Sequence, residues 1–279
     1  MAPLLLRHEL VSAPEAQPTH SLLFLHGILG AGTNLRSLAK RFVAQRPQWQ
    51  GVLVDLRAHG GSLGDDGLDT VDGAADDLVA LARSLSLPVG GIVAHSFGGK
   101  VALQAVARLK GSLRHVALLD SAPGTRFDHR GSELTLQVLE LLDALAGQTW
   151  ANRDEFVRVL VSKGQDRGVA MWLAMNIVVE GGRARFALEL PRIHSLLESY
   201  FSLDAWPVLE AAQGPAFHLI IGGRSGVYDE SERAKARALA AGSNGRITLD
   251  VLPGAGHWVH VDDLEGLLKV LVERLKEPC

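Results

Sequence analysis

Gly90-Gly91-Ile92-Val93-Ala94-His95-Ser96-Phe97-Gly98-Gly99-Lys100 is the stretch from which the fold is read. An apolar β-type run stops at a serine set among small residues. A helical pattern, Lys100 to Leu109, begins at once. A serine in that position lies on a sharp strand-to-helix turn, with its hydroxyl pushed outward and its backbone strained. Small residues are needed two before and two after it, because strand and helix crowd together. Ala94 and Gly98 fill those places. Taken alone, the stretch also reads as a glycine-rich turn holding a chance serine, so its partners decide.

Outward from this turn the chain alternates short β-type runs with amphipathic helical ones. Strands are predicted at Leu4–Val11, Ser21–Leu25, Gly51–Leu56, Gly91–Ala94, Leu113–Leu119, Phe217–Ile221 and Arg246–Leu252. Helices are predicted at Asn34–Val43, Val71–Leu85, Lys100–Leu109, Glu230–Ala241 and Leu264–Leu275. Such alternation specifies an α/β fold, a mostly parallel sheet with helices on both faces. Apolar runs such as Leu22-Leu23-Phe24-Leu25 suit strands buried on both sides. The interval from 124 to 214 breaks the alternation. It reads as helices Glu133–Ala146, Arg153–Val161, Val169–Val178 and Pro191–Tyr200, with a turn at Glu180-Gly181-Gly182-Arg183. The expected organisation is a core of residues 1–123 and 215–279 with a helical cap, 124–214, inserted over the carboxyl ends of the strands, where ligands bind in such sheets. The segment Leu134 to Leu145 is apolar on more than one face and is expected against the sheet edge or a second subunit, so a monomer or homodimer is anticipated.

Bulk properties exclude several classes. A hydrophobic content of 47%, a charged content of 21% and a net charge of −3 indicate no nucleic-acid surface and no polybasic membrane anchor. The one cysteine, Cys279, precludes a disulfide framework and fits a reducing compartment. Met1 to Arg7 reads as a strand rather than a signal peptide, and no apolar run reaches the length of a membrane span. A cytoplasmic location is expected, or an organellar matrix if the source is eukaryotic. No phosphate-loop, dinucleotide or paired-histidine zinc pattern occurs, so no cofactor and no metal are expected.

Residues just past strand ends converge in an open α/β sheet, and four such places carry reactive groups. Ser96 is the first. Leu25-His26-Gly27-Ile28 is the second. Its glycine admits a ligand close to the backbone, and the amide of Ile28, with that of Phe97, is expected to form an oxyanion hole. His26 itself is read as structural. The third is His257 in Pro253-Gly254-Ala255-Gly256-His257-Trp258, the expected general base, with His260 as its competitor. The fourth is the acid that holds the base. Asp120 ends the strand after the nucleophile, whereas Asp229 comes late after Phe217–Ile221 and is the competitor. Either could instead be a cap, Asp120 for a turn and Asp229 for the helix that follows it. Serine, acid and histidine then occur in the chain order that this architecture uses. The polar run Asp55 to Ser62 is read as a loop braced by its own hydrogen bonds.

Together these residues resemble the α/β-hydrolase superfamily along nearly the whole chain. Within it they are most similar to the YbfF-type bacterial esterases and the related mitochondrial abhydrolase-domain proteins. The matching pieces include Asp55-x-Arg57-x-His59-Gly60-x-Ser62, His95-Ser96-Phe97-Gly98-Gly99-Lys100, Asp120-Ser121-Ala122-Pro123, Trp172-Leu173-Ala174-Met175-Asn176-Ile177 and Gly254-x-Gly256-His257-Trp258. Ala94, where glycine is usual, and Phe97, where methionine is common, depart from the pattern. The resemblance implies an acid after the strand that follows the nucleophile, which favours Asp120. It also implies a serine esterase or thioesterase acting on short- to medium-chain acyl esters or acyl-CoA, small-molecule substrates, through an acyl-serine. Trp172, Met175 and Trp258 are expected to contact substrate. The rival expectations are a receptor or lyase on the same fold, and a cofactor-free haloperoxidase.

Overall fold

The computed structural model describes residues 4–63, 67–109, 111, 113–211 and 213–276. Cys279 and the first three residues of the Met1–Arg7 segment lie outside these. Seven strands form the main sheet: β1 (His8–Val11), β2 (His20–Leu25), β3 (Trp49–Val54), β4 (Val89–His95), β5 (His115–Leu119), and after the insertion β9 (Ala216–Gly222) and β10 (Ile247–Leu252). Their spatial order is β1-β3-β2-β4-β5-β9-β10, with β1 antiparallel to β3 and the other neighbours parallel. The expected strand Leu4–Val11 is shorter than read. It pairs only from His8, because the Leu4 amide donates to Asp77 Oδ1 and the Arg7 amide to Ser62 Oγ.

Helices α1 (Arg36–Gln45), α2 (Val71–Ser84), α3 (Phe97–Val106), α9 (Glu230–Gly242), α10 (Val259–Asp262) and α11 (Leu264–Arg274) flank the sheet. Two cores result, one on each face. Leu23, Val52, Ile92 and Val116 point into the first; Phe24, Leu53, Val93 and Ala117 point into the second. This is the period-two alternation of strands buried on both sides. Among the described residues no helix is long and apolar enough to cross a membrane.

The chain order β1 to β5 reverses direction between β2 and β4, which lie side by side with Leu25 opposite Ala94. That switch point opens a crevice at the carboxyl ends of the two strands. The turn from β4 into α3 fills it tightly. A Cβ at Gly98 would come within 2.7 Å of the His26 carbonyl oxygen and 2.9 Å of Leu25 Cβ. At Gly99 it would meet Ser121 Oγ at 2.2 Å.

Between β5 and β9 lie α4 (Glu133–Ala144), β6 (Thr149–Trp150), α5 (Arg153–Ser162), α6 (Arg167–Leu173), β7 (Ile177–Glu180), β8 (Arg183–Phe186), α7 (Leu190–Ser202) and α8 (Trp206–Glu210). The insertion is therefore not wholly helical: β6, β8 and β7 make a small antiparallel sheet. The helix expected over Val169–Val178 ends at Leu173, passes through a 3-10 turn at Ala174–Asn176 and continues as a strand. The β-branched Ile177, Val178 and Val179 favour extended backbone. Gly181 and Gly182, both at positive φ, close the hairpin to β8. Leu134 to Leu145 lies mostly on α4 and packs against α7 rather than at the edge of the main sheet.

Two buried histidines brace the loop after β2. His26 donates Nδ1–H to the Gly27 carbonyl (2.7 Å) and accepts the Leu56 amide at Nε2 (3.0 Å). His59 donates Nδ1–H to the Arg57 carbonyl (2.8 Å) and accepts the Leu29 amide at Nε2 (3.0 Å). Each role requires the neutral ring. Burial draws His26 down to about 4 and His59 to about 3. The polar run Asp55 to Ser62 is thus a brace, with Asp55 also accepting the amides of Gly32 and Gly61.

Two outcomes follow. Gly98→Ala should cost about 1–3 kcal/mol of stability in urea unfolding, because backbone must move to admit the methyl; an unchanged midpoint would contradict the crowding. Because the folded pKa values of His26 and His59 lie below the unfolded value, the unfolded chain binds more protons between about pH 3 and 6.5. Stability should therefore fall as the pH drops below about 6.5, at up to about 1.4 kcal/mol per unit per histidine. Urea midpoints at several pH values check this, and His59→Gln should flatten the slope.

Candidate active site

Ser96 sits between β4 and α3 with φ 51° and ψ −117°, a conformation rare for a residue with a side chain. Its amide donates to Leu119 on β5 (3.1 Å), and Ser121 Oγ donates to its carbonyl (2.6 Å). Both bonds hold the turn so that the hydroxyl faces the crevice. Ser96 Oγ lies 3.1 Å from His257 Nε2. His257 Nδ1 lies 2.8 Å from Asp120 Oδ2. With the ring proton on Nδ1, the serine donates to Nε2 and the histidine donates to the carboxylate.

Asp120 follows β5 directly and is another non-glycine residue at positive φ, 44°. Its carboxylate is fully buried. Oδ1 accepts the Gly222 amide (3.0 Å), and Oδ2 accepts Ser225 Oγ (2.5 Å) besides the histidine. Asp229, the alternative acid, lies elsewhere: it caps α9 by accepting the Glu232 amide (2.8 Å) and pairs with Arg130 (2.9 Å). Ser225 was not foreseen as part of the site. Its signal is faint, a serine in the Gly222-Gly223-Arg224-Ser225 turn where a carboxylate is absent.

His260 does not reach the serine in His257's place. Its ring packs edge-on against His95 at 4.7 Å, and burial lowers it to about 4. His95 is also held neutral by burial, and its Nε2–H donates to the His257 carbonyl (3.0 Å). That bond ties the His257 loop to β4, the strand that leads into Ser96, a contact the sequence does not signal.

The loop after β2 closes the site. The amides of Leu29, Gly30, Ala31 and Gly32 are spent on His59, the Gly27 carbonyl, Asn34 Oδ1 and Asp55 Oδ1. None of these bonds uses the Ile28 N–H. Phe97 opens α3, and its N–H belongs to the first helical turn, whose donors meet no helical carbonyl.

A cavity of about 410 Å³ adjoins Ser96 and His257. Its wall is mainly apolar: Ile28 and Leu35 from the core, Leu134 and Val138 from α4, Val169 and Trp172 from α6. Trp258 lines it too and packs on Trp172 with centroids 5.9 Å apart. Met175 departs from the expectation. It is 45% exposed and accepts from Asn34 Nδ2 (3.4 Å) instead of lining the cavity. The cause is the 3-10 turn, which points Asn176 inward to donate to the Leu29 carbonyl (2.8 Å) and Met175 outward. Among the described residues no group of three or more His, Cys, Asp or Glu side chains is placed to hold a metal ion.

The chain is 28% identical over 268 residues to the mouse sn-1-specific diacylglycerol lipase ABHD11, covering 94% of this chain and 82% of that protein. It is 26% identical over 270 residues to esterase YbfF of Escherichia coli K12, covering 96% and 98%. The solved structure of a marine microorganism esterase shares the fold, with a TM-score of 0.80, 22% identity and coverage of 98% and 100%. The sequence profile of the alpha/beta hydrolase family matches residues 22–270, and the chain belongs to that family.

Proposed function

We propose that this α/β hydrolase is a serine esterase that cleaves short- to medium-chain acyl esters, or the corresponding thioesters, through an acyl-serine. The observation that carries this reading is the continuous set of bonds from Ser96 through His257 to Asp120, standing beside an apolar cavity. The names of the mouse and Escherichia coli relatives support ester cleavage.

In this mechanism His257 Nε2 takes the proton of Ser96 as Oγ attacks the acyl carbon. Charge develops on the carbonyl oxygen, where the amides of Ile28 and Phe97 receive it. Each such donor is worth roughly 3 kcal/mol in the transition state. Asp120 keeps the ring proton on Nδ1 and stabilises the imidazolium. The tetrahedral intermediate collapses, and the alcohol or thiol leaves with the proton from His257. Water, deprotonated by the same histidine, attacks the acyl-serine, releases the acid and restores the hydroxyl. The strained backbone at Ser96 holds Oγ ready for attack, so little reorganisation is required at the moment of reaction. The apolar wall from α4 and α6 suits a hydrocarbon acyl chain, each buried methylene contributing about 0.8 kcal/mol.

Ser96→Ala should abolish turnover of a p-nitrophenyl acyl ester and labelling by a fluorophosphonate while leaving the thermal melt unchanged; wild-type turnover in that variant would remove Ser96 from its role. Asp120→Asn should lower kcat by about 10⁴-fold through loss of the correct histidine tautomer. Asp229→Asn should leave kcat near wild type, and the reverse pattern would transfer the acid's role to Asp229.

A further inference from the structure

Lys100 is a fully buried lysine for which the mechanism has no use. It lies on α3, one helical turn beyond Ser96. Its Nζ donates to three backbone carbonyls: Gly124 (2.7 Å), Tyr200 (2.7 Å) and Leu203 (2.8 Å). It also stands 4.4 Å from the centroid of the Tyr200 ring. The charged groups facing it are Arg126, Glu232 and Asp204. Its direct partners are carbonyls, and where those carbonyls lie gives the arrangement its meaning.

Gly124 is where the chain leaves the core and enters the insertion. Tyr200 and Leu203 lie at the carboxyl end of α7, where the chain returns. Helix carbonyls there have no helical donor, and a cation at that end also meets the negative pole of the helix. One ammonium therefore joins both stems of the insertion to the helix that begins at the nucleophile. The stems are joined to each other by Arg126 N to the Phe201 carbonyl (2.7 Å) and Ala205 N to the Pro123 carbonyl (2.9 Å). Helix α7 packs against α4, which supplies Leu134, Thr135 and Val138 to the cavity wall. Tyr200, on α7, also packs against Phe97, 6.1 Å between centroids. A path of direct contacts thus runs from Lys100 through α7 to the wall that an acyl chain would touch.

We propose that Lys100 is a positioning residue that sets the register of the inserted segment over Ser96 and so determines which acyl lengths the cavity accepts. This rests on the serine-esterase reading for its kinetic consequence, but not for its structural one. Methionine at this position would fill similar space while leaving three carbonyls without a donor, and the stems would shift to find other partners. An acetyl group is held by the nucleophile and the oxyanion donors. An octanoyl group also requires the α4 and α6 wall to be in place.

The experiment compares p-nitrophenyl acetate with p-nitrophenyl octanoate in the wild type, Lys100→Met, Lys100→Gln and Lys100→Arg. Thermal melts and fluorophosphonate labelling are recorded for each. In the Met and Gln variants KM for octanoate should rise about tenfold, the loss expected for a buried charge-assisted hydrogen bond. For acetate, kcat and KM should stay within about twofold, and Lys100→Arg, which keeps charge and donors, should recover part of the octanoate KM. Hydrogen exchange across Glu133–Ala144 and the end of α7 should quicken in the Gln variant whether or not Ser96 is the nucleophile. Folded Met or Gln variants with an unchanged octanoate-to-acetate ratio and unchanged exchange would overturn the proposal. If Lys100→Met does not fold, Gln and Arg decide it by the same two readouts. Loss of labelling in the wild type would strike the nucleophile assignment instead, and the exchange measurement would still decide the role of Lys100.

Discussion

Asp120 stands one residue past β5 with no exposed surface, and its two oxygens are shared among the Gly222 amide, the Ser225 hydroxyl and the His257 ring. A carboxylate removed from water in this way is tolerable only when its lone pairs are met by well-placed donors. The donors come from the end of β9, the turn after it and the loop after β10. Meeting the needs of one buried charge therefore draws three segments, far apart in sequence, to a single point. The position of His257, and through it the distance to Ser96, depends on that arrangement.

The opposite wall of the crevice is held by neutral groups. His26 and His59 act as fixed donor–acceptor pairs, each joining the loop after β2 to the loop after β3. Burial is what keeps them uncharged and so able to accept an amide hydrogen. Local strain is concentrated between these two walls. Leu29, Ala58, Ser96 and Asp120 all have positive φ without being glycine. Such conformations persist only where surrounding structure imposes them, and here the bonds from Leu119, Ser121, Ile220 and His59 do so.

Much of the fold was legible because it is written in local periodicity. Apolar runs marked the parallel strands, and the main-sheet elements match their expected places to within a few residues. The insertion is less legible in the sequence. Ile177 to Val179 continues an apolar helical pattern, and only pairing with β8 makes it a strand. Short apolar runs do not by themselves distinguish helix from strand. Leu134 and Val138 line the cavity that adjoins Ser96 rather than a sheet edge, since the docking of α4 is decided by α7 and not by its own amphipathicity. Met175 and Asn176 are adjacent in a motif, yet a 3-10 turn sends one outward and the other to the Leu29 carbonyl.

The chain by itself determined the alternating α/β architecture, the strand-to-helix turn at Ser96 and the set of polar residues at strand ends, because each depends on neighbours a few positions away. Tertiary structure alone decided that the Gly222 amide and Ser225 hold Asp120, that His95 holds the His257 loop, and that Lys100 gathers the carbonyls at both stems of the insertion. Apart from the bond between Lys100 and Gly124, these contacts join residues a hundred or more positions apart, and their geometry is set by sheet order and by the burial of charge, neither of which leaves a local pattern in the sequence.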